Sequence, residues 1–593
     1  MHGCDSGFEQ VGEEFPRTLD HAAELWLKHG MPRRFAIYHP SGQTAIKTDM
    51  FGKDIANLEL LRAFAQFGGY DHLHISTHHL VSADELAANL LEGAPGPRIT
   101  TSTIMAQDGP AVAGTLFQGQ PSLSELAWLR RRAVGDKAYS LIGLIHTIAP
   151  PVMREYIAES AIGPVQDWDA QVCTSPSVRD AVESMFDQWN DYLQHRFGGE
   201  RRPRPRLPVL PLGVDGGAFA ALADRPDARA RFRASLGFGE TDVLVIWVGR
   251  LSFFEKAFPQ PMFRAIEEAA LATGVRVHFA LAGWFPNPQA NRPQYEEAAR
   301  AYAPNSPIHF VDGNDQELVG QLWAAGDIFL SLVDNIQETF GLTPIEAMAA
   351  GLPVVVSDWD GYRFTVRDGI EGFLVPTLGG PPGPVGETIV TRHAARIDTY
   401  QSYVGSIAQH TAVHVGYAAR ALGQLIASPD LRRRMGAAGR ARVRDTFDWP
   451  VVVREYNALA DELTEIRNAA PEQQPSHRVN PLKGDPFADF VGFATHQLTP
   501  RTRLQLRAGA SVSDLQRAAG VHLDAAFAEW RGSLDEAALL VERLAKGNVL
   551  TAQELLADFP AERHPVLLMS LAWLAKLGIV DWLEPDLKVL RFY

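Results

Sequence analysis

The strongest constraint on this chain is a repeated grammar of short apolar runs, each followed by a loop and a helical stretch. DVLVIWVGR (242–250), VRVHFALAG (275–283), SPIHFVDG (306–313), GDIFLSLV (326–333) and LPVVVSD (352–358) all end beside glycine or a polar loop. An earlier series, RRFAIYHP (33–40), HLHIST (72–77) and YSLIGLIHTI (139–148), follows the same pattern. Strands alternating with helices predict parallel α/β layers. Between the two series, RPRPRLPVLPLGVDGGAF (202–219) breaks the pattern with prolines and glycines and sets a domain boundary. The expected architecture is therefore two doubly wound halves facing a cleft. Open sheets of this kind place ligands beyond the C-terminal ends of their strands.

After GFLVP (372–376) the stretch LGGPPGPVGE reads as a surface insertion, with helical segments resuming near HVGYAARALG. AAPEQQPSHRVNPLKGD is a polar linker. The predicted organisation is a first lobe over 1–212, a second over 213–467, a linker over 468–485, and a mostly helical extension over 486–593. Within the extension, TAQELLADF and PVLLMSLAWLAKLGIVDWL lead into a candidate wing, LEPDLKVLRFY, which suggests a winged-helix-like module.

A chain of 593 residues exceeds a single core and fits about three to four domains. Two cysteines, Cys4 and Cys173, cannot form a disulfide framework, so a reducing cytoplasm is expected. The N-terminus carries no basic-then-apolar leader, and no apolar run approaches ~20 residues. A formal net charge of −15 opposes nucleic acid as a bulk partner. Basic clusters at 33–35, 129–132 and 200–206 read either as solvated helix faces or as a docking face for an anionic membrane surface.

Candidate chemistry centres on DNIQETFGLTPIEAMAAGLPVVVSD (334–358). Ile345, Met348, Ala349 and Leu352 repeat with the rhythm of one buried helical face. Thr343 followed by Pro344 reads as the helix start, and Thr343-x-x-Glu346 matches a capping box. Glu338 would then be an ordinary loop carboxylate. The alternative makes the free amides near Phe340, Gly341 and Leu342 an anion site, with Glu338 and Glu346 flanking it to grip sugar hydroxyls. Upstream, GRLSFFEK places Arg250 directly after a strand and Lys256 six residues later, where two cations could neutralise a diphosphate.

These residues resemble glycosyltransferase family 4, retaining nucleotide-sugar transferases with the two-lobed GT-B fold. The resemblance spans roughly residues 35–465 and rests on ETFGLTPIE, GRLSFFEK and EAMAAGLPVVVSD, with VLPLGVDGGAF and FDWPVVVREYNAL matching the interlobe segment and terminal helix. It implies that Arg250 and Lys256 hold the donor diphosphate with the backbone from Phe340 to Leu342. Glu346 would bind ribose hydroxyls and Glu338 would face the donor sugar. Gly249 and Gly313 would lie against the donor, Gly313 near the base. His146 would stand near the reacting sugar, and Gly52 would mark the acceptor-side loop. The helix about 447–467 would cross back to the first lobe. The family usually separates Arg and Lys by five residues. Lys256 is chosen because AFPQPMFRAIEEA then restores a regular helix. Where the family often has an acid, this chain has Phe364.

The expected activity is sugar transfer from a nucleotide donor, UDP- or GDP-linked, to the hydroxyl of a glycan, lipid or other acceptor, with retention and without a metal or other cofactor. A sugar phosphorylase, a nucleotide-sugar epimerase and a non-catalytic nucleotide-sugar-binding scaffold are the alternatives. A cytoplasmic protein is expected, with peripheral contact at the inner membrane face as the further reading of the basic first lobe. The C-terminal extension is a candidate site for a protein partner.

Overall fold

The computed structural model describes residues 32–42, 52–239, 241–472 and 477–583. In the first lobe, β1 (Arg34–Tyr38), β2 (His72–Thr77), β3 (Arg98–Thr103), β4 (Thr115–Gln118), β5 (Ser140–Ile145) and β6 (Ala170–Cys173) form one sheet in the order β3-β2-β1-β4-β5-β6. All its pairings are parallel. Every residue of β5 (SLIGLI) is buried, as a central strand covered on both faces requires. Three strands lie outside the apolar runs read from sequence: β3 (RITTST), β4 (TLFQ) and β6 (AQVC). They are short or polar, and neighbouring strands supply the burial that their own pattern does not announce.

The second lobe repeats the winding. Strands β7 (Val243–Val248), β8 (Val277–Gly283), β9 (Ile308–Asp312), β10 (Ile328–Ser331), β11 (Val354–Ser357) and β12 (Gly372–Val375) take the order β12-β11-β10-β7-β8-β9, again parallel throughout. The direction of winding reverses between β7 and β10, so a crevice opens beyond their C-terminal ends.

Two passages of chain join the lobes. Residues 206–214 run from the edge of β6 to a bridge between Val214 and Asp448. The helix Trp449–Ala469 then returns to the first lobe. Its Tyr456 ring stands edge-on to Phe64 and Phe117. Tyr70 Oη donates to Asn457 Oδ1 at 2.7 Å, and Arg467 donates to Ser140 Oγ at 2.7 Å. One continuous apolar core therefore runs from Phe35 in β1 through Ile345 and Val354 to Leu463.

The segment expected as a plain surface insertion is more organised than its glycines and prolines suggest. Its ends are clipped by an antiparallel pair, Thr377–Leu378 with Ala412–Val413. Between them lie the helices Pro384–Ala394 and Tyr400–Ala408, and Tyr403 and Val404 are buried. LGGPPGPVGE is exposed at its start, but the second helix docks inward because Tyr403, Val404 and Ile407 form an apolar face.

The described residues from Asn480 onward form a separate compact unit. Its central strand Arg503–Leu506 lies between Leu550–Thr551 and Val580–Trp582, both antiparallel to it. The helices Leu534–Leu544 and His564–Lys576 cover a core containing Leu504, Leu540 and Leu571. Of the expected wing, all but Leu583 lies outside the described residues.

Candidate functional site

Beyond β10 the chain enters a loop locked by two buried residues. Asn335 receives the Gln337 N–H on Oδ1 at 2.8 Å, and its carbonyl accepts from Trp359 Nε1 at 3.0 Å. Its amide donates to the Phe254 carbonyl, so the loop after β10 is tied to the loop after β7. Asp334 adds a second tie by accepting the Phe258 N–H at 3.2 Å. Both loops are held by side chain to backbone bonds, an arrangement that fixes position without consuming the charged groups between them.

Those charged groups converge. Lys256 Nζ lies 3.3 Å from Glu338 Oε2. Arg250, at the end of β7, pairs with Glu255 at 2.8 Å and rests over the Trp284 ring. Lys256 also reaches Glu346 electrostatically, so both glutamates of ETFGLTPIE answer to one lysine. Burial pushes the Glu346 carboxyl up to about 8, reinforced by the like charge of Glu59 from the first lobe and opposed by Lys256. Burial likewise raises Glu59, on the helix Gly52–Phe67.

The capping-box expectation does not hold. The helix is Leu342–Ala349, its N-cap is Gly341, and no side chain caps it. Gly341 sits at φ 86°, in the left-handed region, and a Cβ there would overlap the Tyr362 ring. The tight glycine turn starts the helix two residues early, with the N-cap at Gly341 rather than Thr343. Thr343 is thereby inside the first turn, where its side chain hydrogen-bonds Tyr362, and Glu346 is the fifth helical residue. Among the described residues no side chain caps the first-turn amides, a natural seat for an anion. Phe340 is buried against Phe447, and Leu342 packs on the apolar core, so only their backbone is available to a ligand.

The first lobe meets this loop directly. Thr339 Oγ1 donates to the His146 carbonyl at 2.6 Å, which sets Glu338 beside the end of β5. The His146 ring lies with Nε2 2.7 Å from Asn57 Oδ1, and Asn57 Nδ2 donates to the Gly119 carbonyl at 3.1 Å. Ser175 Oγ donates to Asp360 Oδ1 at 2.7 Å across the lobes. Asp360 has its carboxyl pushed up to about 7, chiefly by burial and further by Glu338.

Gly249 and Gly313 both belong to the crevice floor. The Gly313 N–H donates to the Gly283 carbonyl at 3.1 Å, and a side chain on Gly313 would strike Gly283. Gly249 follows β7, its N–H bonded to Ala282. Gly52 opens the helix Gly52–Phe67, while the loop before it, 43–51, lies outside the described residues. The structure thus brings together Lys256, Glu338, Glu346, Arg250, His146 and the Gly341 helix start. Sequence reasoning missed Glu59, Asn335 and Asp360. Phe364, the residue noted where an acid was looked for, is surface-exposed. Asp360, in the same DGYRFTV stretch, is the acid at the site, and a non-glycine residue just before Gly361 was the available signal.

Two cations, a helix N-terminus and two facing carboxyls form a site suited to an anion joined to hydroxyl-bearing groups. Among the described residues, no group of three or more His, Cys, Asp or Glu side chains is placed to hold a metal ion.

Two parallel six-stranded lobes sharing a returning helix define the GT-B fold. Within the second lobe, residues 242–380 match the model of the glycosyl transferases group 1. The chain is similar to the D-inositol 3-phosphate glycosyltransferase of Geodermatophilus obscurus, with 31% identity over 199 residues. That match covers 33% of this chain and 41% of the relative, so it spans about two fifths of the relative's length. The corresponding protein of Mycolicibacterium vanbaalenii is 26% identical over 328 residues, 51% of this chain and 68% of its own. Among solved structures, sucrose-phosphate synthase from Thermosynechococcus elongatus aligns with a TM-score of 0.46 at 17% identity, covering 73% of this chain and all of that one. HepE of Anabaena in complex with UDP-glucose aligns at 0.43 and 15%, covering 73% and 99%.

Proposed function

We propose that this protein is a retaining glycosyltransferase that moves a sugar from a nucleoside diphosphate donor to an acceptor hydroxyl without a metal ion. The observation that carries the reading is Lys256 within 3.3 Å of Glu338, in electrostatic reach of Glu346, at the switch point of a glycosyl transferases group 1 lobe. In this reading Lys256, Arg250 and the amides that follow Gly341 take the diphosphate. Glu346, set in the second turn, hydrogen-bonds the ribose, and the backbone near Gly313 faces the base. Glu338 orients the sugar and stabilises positive charge developing at the anomeric carbon. His146, fixed by Asn57, supports the sugar from the first lobe.

The bond between the anomeric carbon and the phosphate oxygen breaks as the acceptor oxygen bonds the same face. The acceptor's proton passes to the departing phosphate. Lysine and arginine stabilise the charge that accumulates on that leaving group, the task a divalent cation performs in other transferases. Contact of Thr339 with the His146 carbonyl keeps the lobes together around the reacting atoms and limits water.

A thermal-shift series with UDP, GDP and ADP, followed by mass spectrometry of donor turnover and NMR of the product's anomeric configuration, tests the reading. Lys256→Ala should weaken nucleoside diphosphate binding ten- to hundredfold, since a charge-assisted hydrogen bond is worth about 1.5–3 kcal/mol. Glu338→Gln should lower turnover about a hundredfold with little change in nucleotide affinity. Inverted product, sugar phosphate formed without nucleotide, or donor altered with no acceptor would each replace the proposal with another chemistry.

A further inference from the structure

The excursion between Thr377 and Val413 does more than decorate the second lobe. Tyr400 Oη donates to Gln337 Oε1 at 2.9 Å, one residue before Glu338. Gln401 Nε2 donates to Glu255 Oε1 at 3.4 Å, and Glu255 is the partner of Arg250. Tyr403 and Val404 are buried together with Ala149 of the first lobe. The helix Tyr400–Ala408 is therefore seated on both candidate donor loops and on the opposite lobe at once.

Beside it lies a cavity of about 450 Å³, within the size range of small-molecule sites. Ile148, Val178 and Met185 of the first lobe form one wall, and Ile336, Trp359 and Tyr403 form the other. Trp359 is fixed by its bond to the Asn335 carbonyl, and the Tyr403 ring is stacked on His393 at 5.0 Å. Two oriented aromatic side chains among aliphatic ones favour a flat apolar body. The polar groups are few. Asp360 is held at φ 38°, an uncommon conformation for a side-chain-bearing residue, and accepts a hydrogen bond from Ser175 Oγ on Oδ1. Arg363 is already paired with Asp358 at 2.7 Å. Arg154 lines the same cavity, its charge reaches Tyr403, and it makes no ion pair among the described residues.

We propose that this cavity is the acceptor subsite, and that it takes an aromatic alcohol carrying a second, anionic group. The aromatic body lies between Trp359 and Tyr403, Arg154 takes the anion, and Asp360 accepts the hydroxyl hydrogen bond near Glu338. The excursion thus sets acceptor choice. This inference rests on the transferase reading for the word acceptor, but the binding it asserts is measurable without turnover.

The test uses the full chain and three probes: 4-hydroxyphenylacetate, its uncharged amide, and myo-inositol. Binding is measured by calorimetry with and without the nucleoside diphosphate that most raises the melting temperature. The acid should bind at least tenfold more tightly than the amide, and myo-inositol should not compete. Arg154→Ala, an exposed change that leaves the fold intact, should erase the acid's advantage while leaving amide affinity within twofold. Tyr403→Ala should weaken both aromatic probes at least tenfold with nucleotide affinity unchanged. Equal affinity for acid and amide, indifference to Arg154→Ala, or displacement by myo-inositol would overturn the assignment. Failure of every nucleotide to bind would overturn the transferase reading instead, while the probe affinities would still decide the cavity.

Discussion

Replacing Glu346 with glutamine separates the stability of the site from its use. The Glu346 carboxyl is pushed from 4.5 to about 8 by burial and by Glu59. In the folded protein it keeps a proton that the unfolded chain has released throughout that window. Stability therefore falls as pH rises from about 4.5 toward 8 and is lowest above it, where the carboxylate is charged in both states. At about 1.4 kcal/mol per pKa unit, the ceiling on this cost is roughly 5 kcal/mol. Glu346 retains some solvent contact, so screening reduces the realised cost to about 1–2 kcal/mol. Glu346→Gln removes the titration. Urea denaturation followed by tryptophan fluorescence should find variant and wild type nearly equal at pH 5. At pH 9 the variant should be more stable by that 1–2 kcal/mol. In the presence of nucleotide the order should invert, because the variant loses the proposed ribose contact. A stability difference that is the same at pH 5 and pH 9 would refute the claim that this carboxyl is held against its own desolvation.

Three further outcomes concern stability. Gly341→Ala demands a left-handed φ and collides with Tyr362, so it should cost more than about 2 kcal/mol in urea denaturation and abolish nucleotide-induced stabilisation. Arg130 and Asp169 form a fully buried pair at 2.7 Å that also satisfies the Leu141 N–H. Asp169→Ala strands that arginine and should cost about 3–5 kcal/mol, read as a lower urea midpoint with nucleotide affinity retained. Tyr456 buries a hydroxyl between Phe64 and Phe117 that has no hydrogen-bond partner among the described residues. Tyr456→Phe should be neutral or stabilise by about 1 kcal/mol, measured by thermal unfolding.

Much of the second lobe was legible because its strands are uninterrupted apolar runs. VLVIWV, VHFALAG, IFLS and VVVS are buried almost residue for residue, as parallel strands covered on both faces are. RITTST and AQVC were not legible, since a polar or very short strand is recruited by neighbours already in place. Lys256 could be chosen over other spacings because a helix had to begin soon after it. The helix starts at Leu342, two residues before the Pro344 that a Thr343 cap implies. Thr343 has a capping side chain, but a glycine that can take a positive φ precedes it, and backbone freedom took precedence over the side chain.

The sequence by itself determined the alternation of strand and helix, the glycine-hinged loop between two glutamates, and the cations that follow β7. These are local properties, set by periodicity and by what each backbone can adopt. Tertiary structure alone decided that Glu59 faces Glu346, that Asp360 rather than residue 364 supplies the nearby acid, and that residues 400–408 reach back to Gln337. Each of those outcomes depends on groups far apart in the chain. A carboxyl's charge and a cavity's shape are fixed by whatever surrounds them in space, which spacing along the chain does not encode.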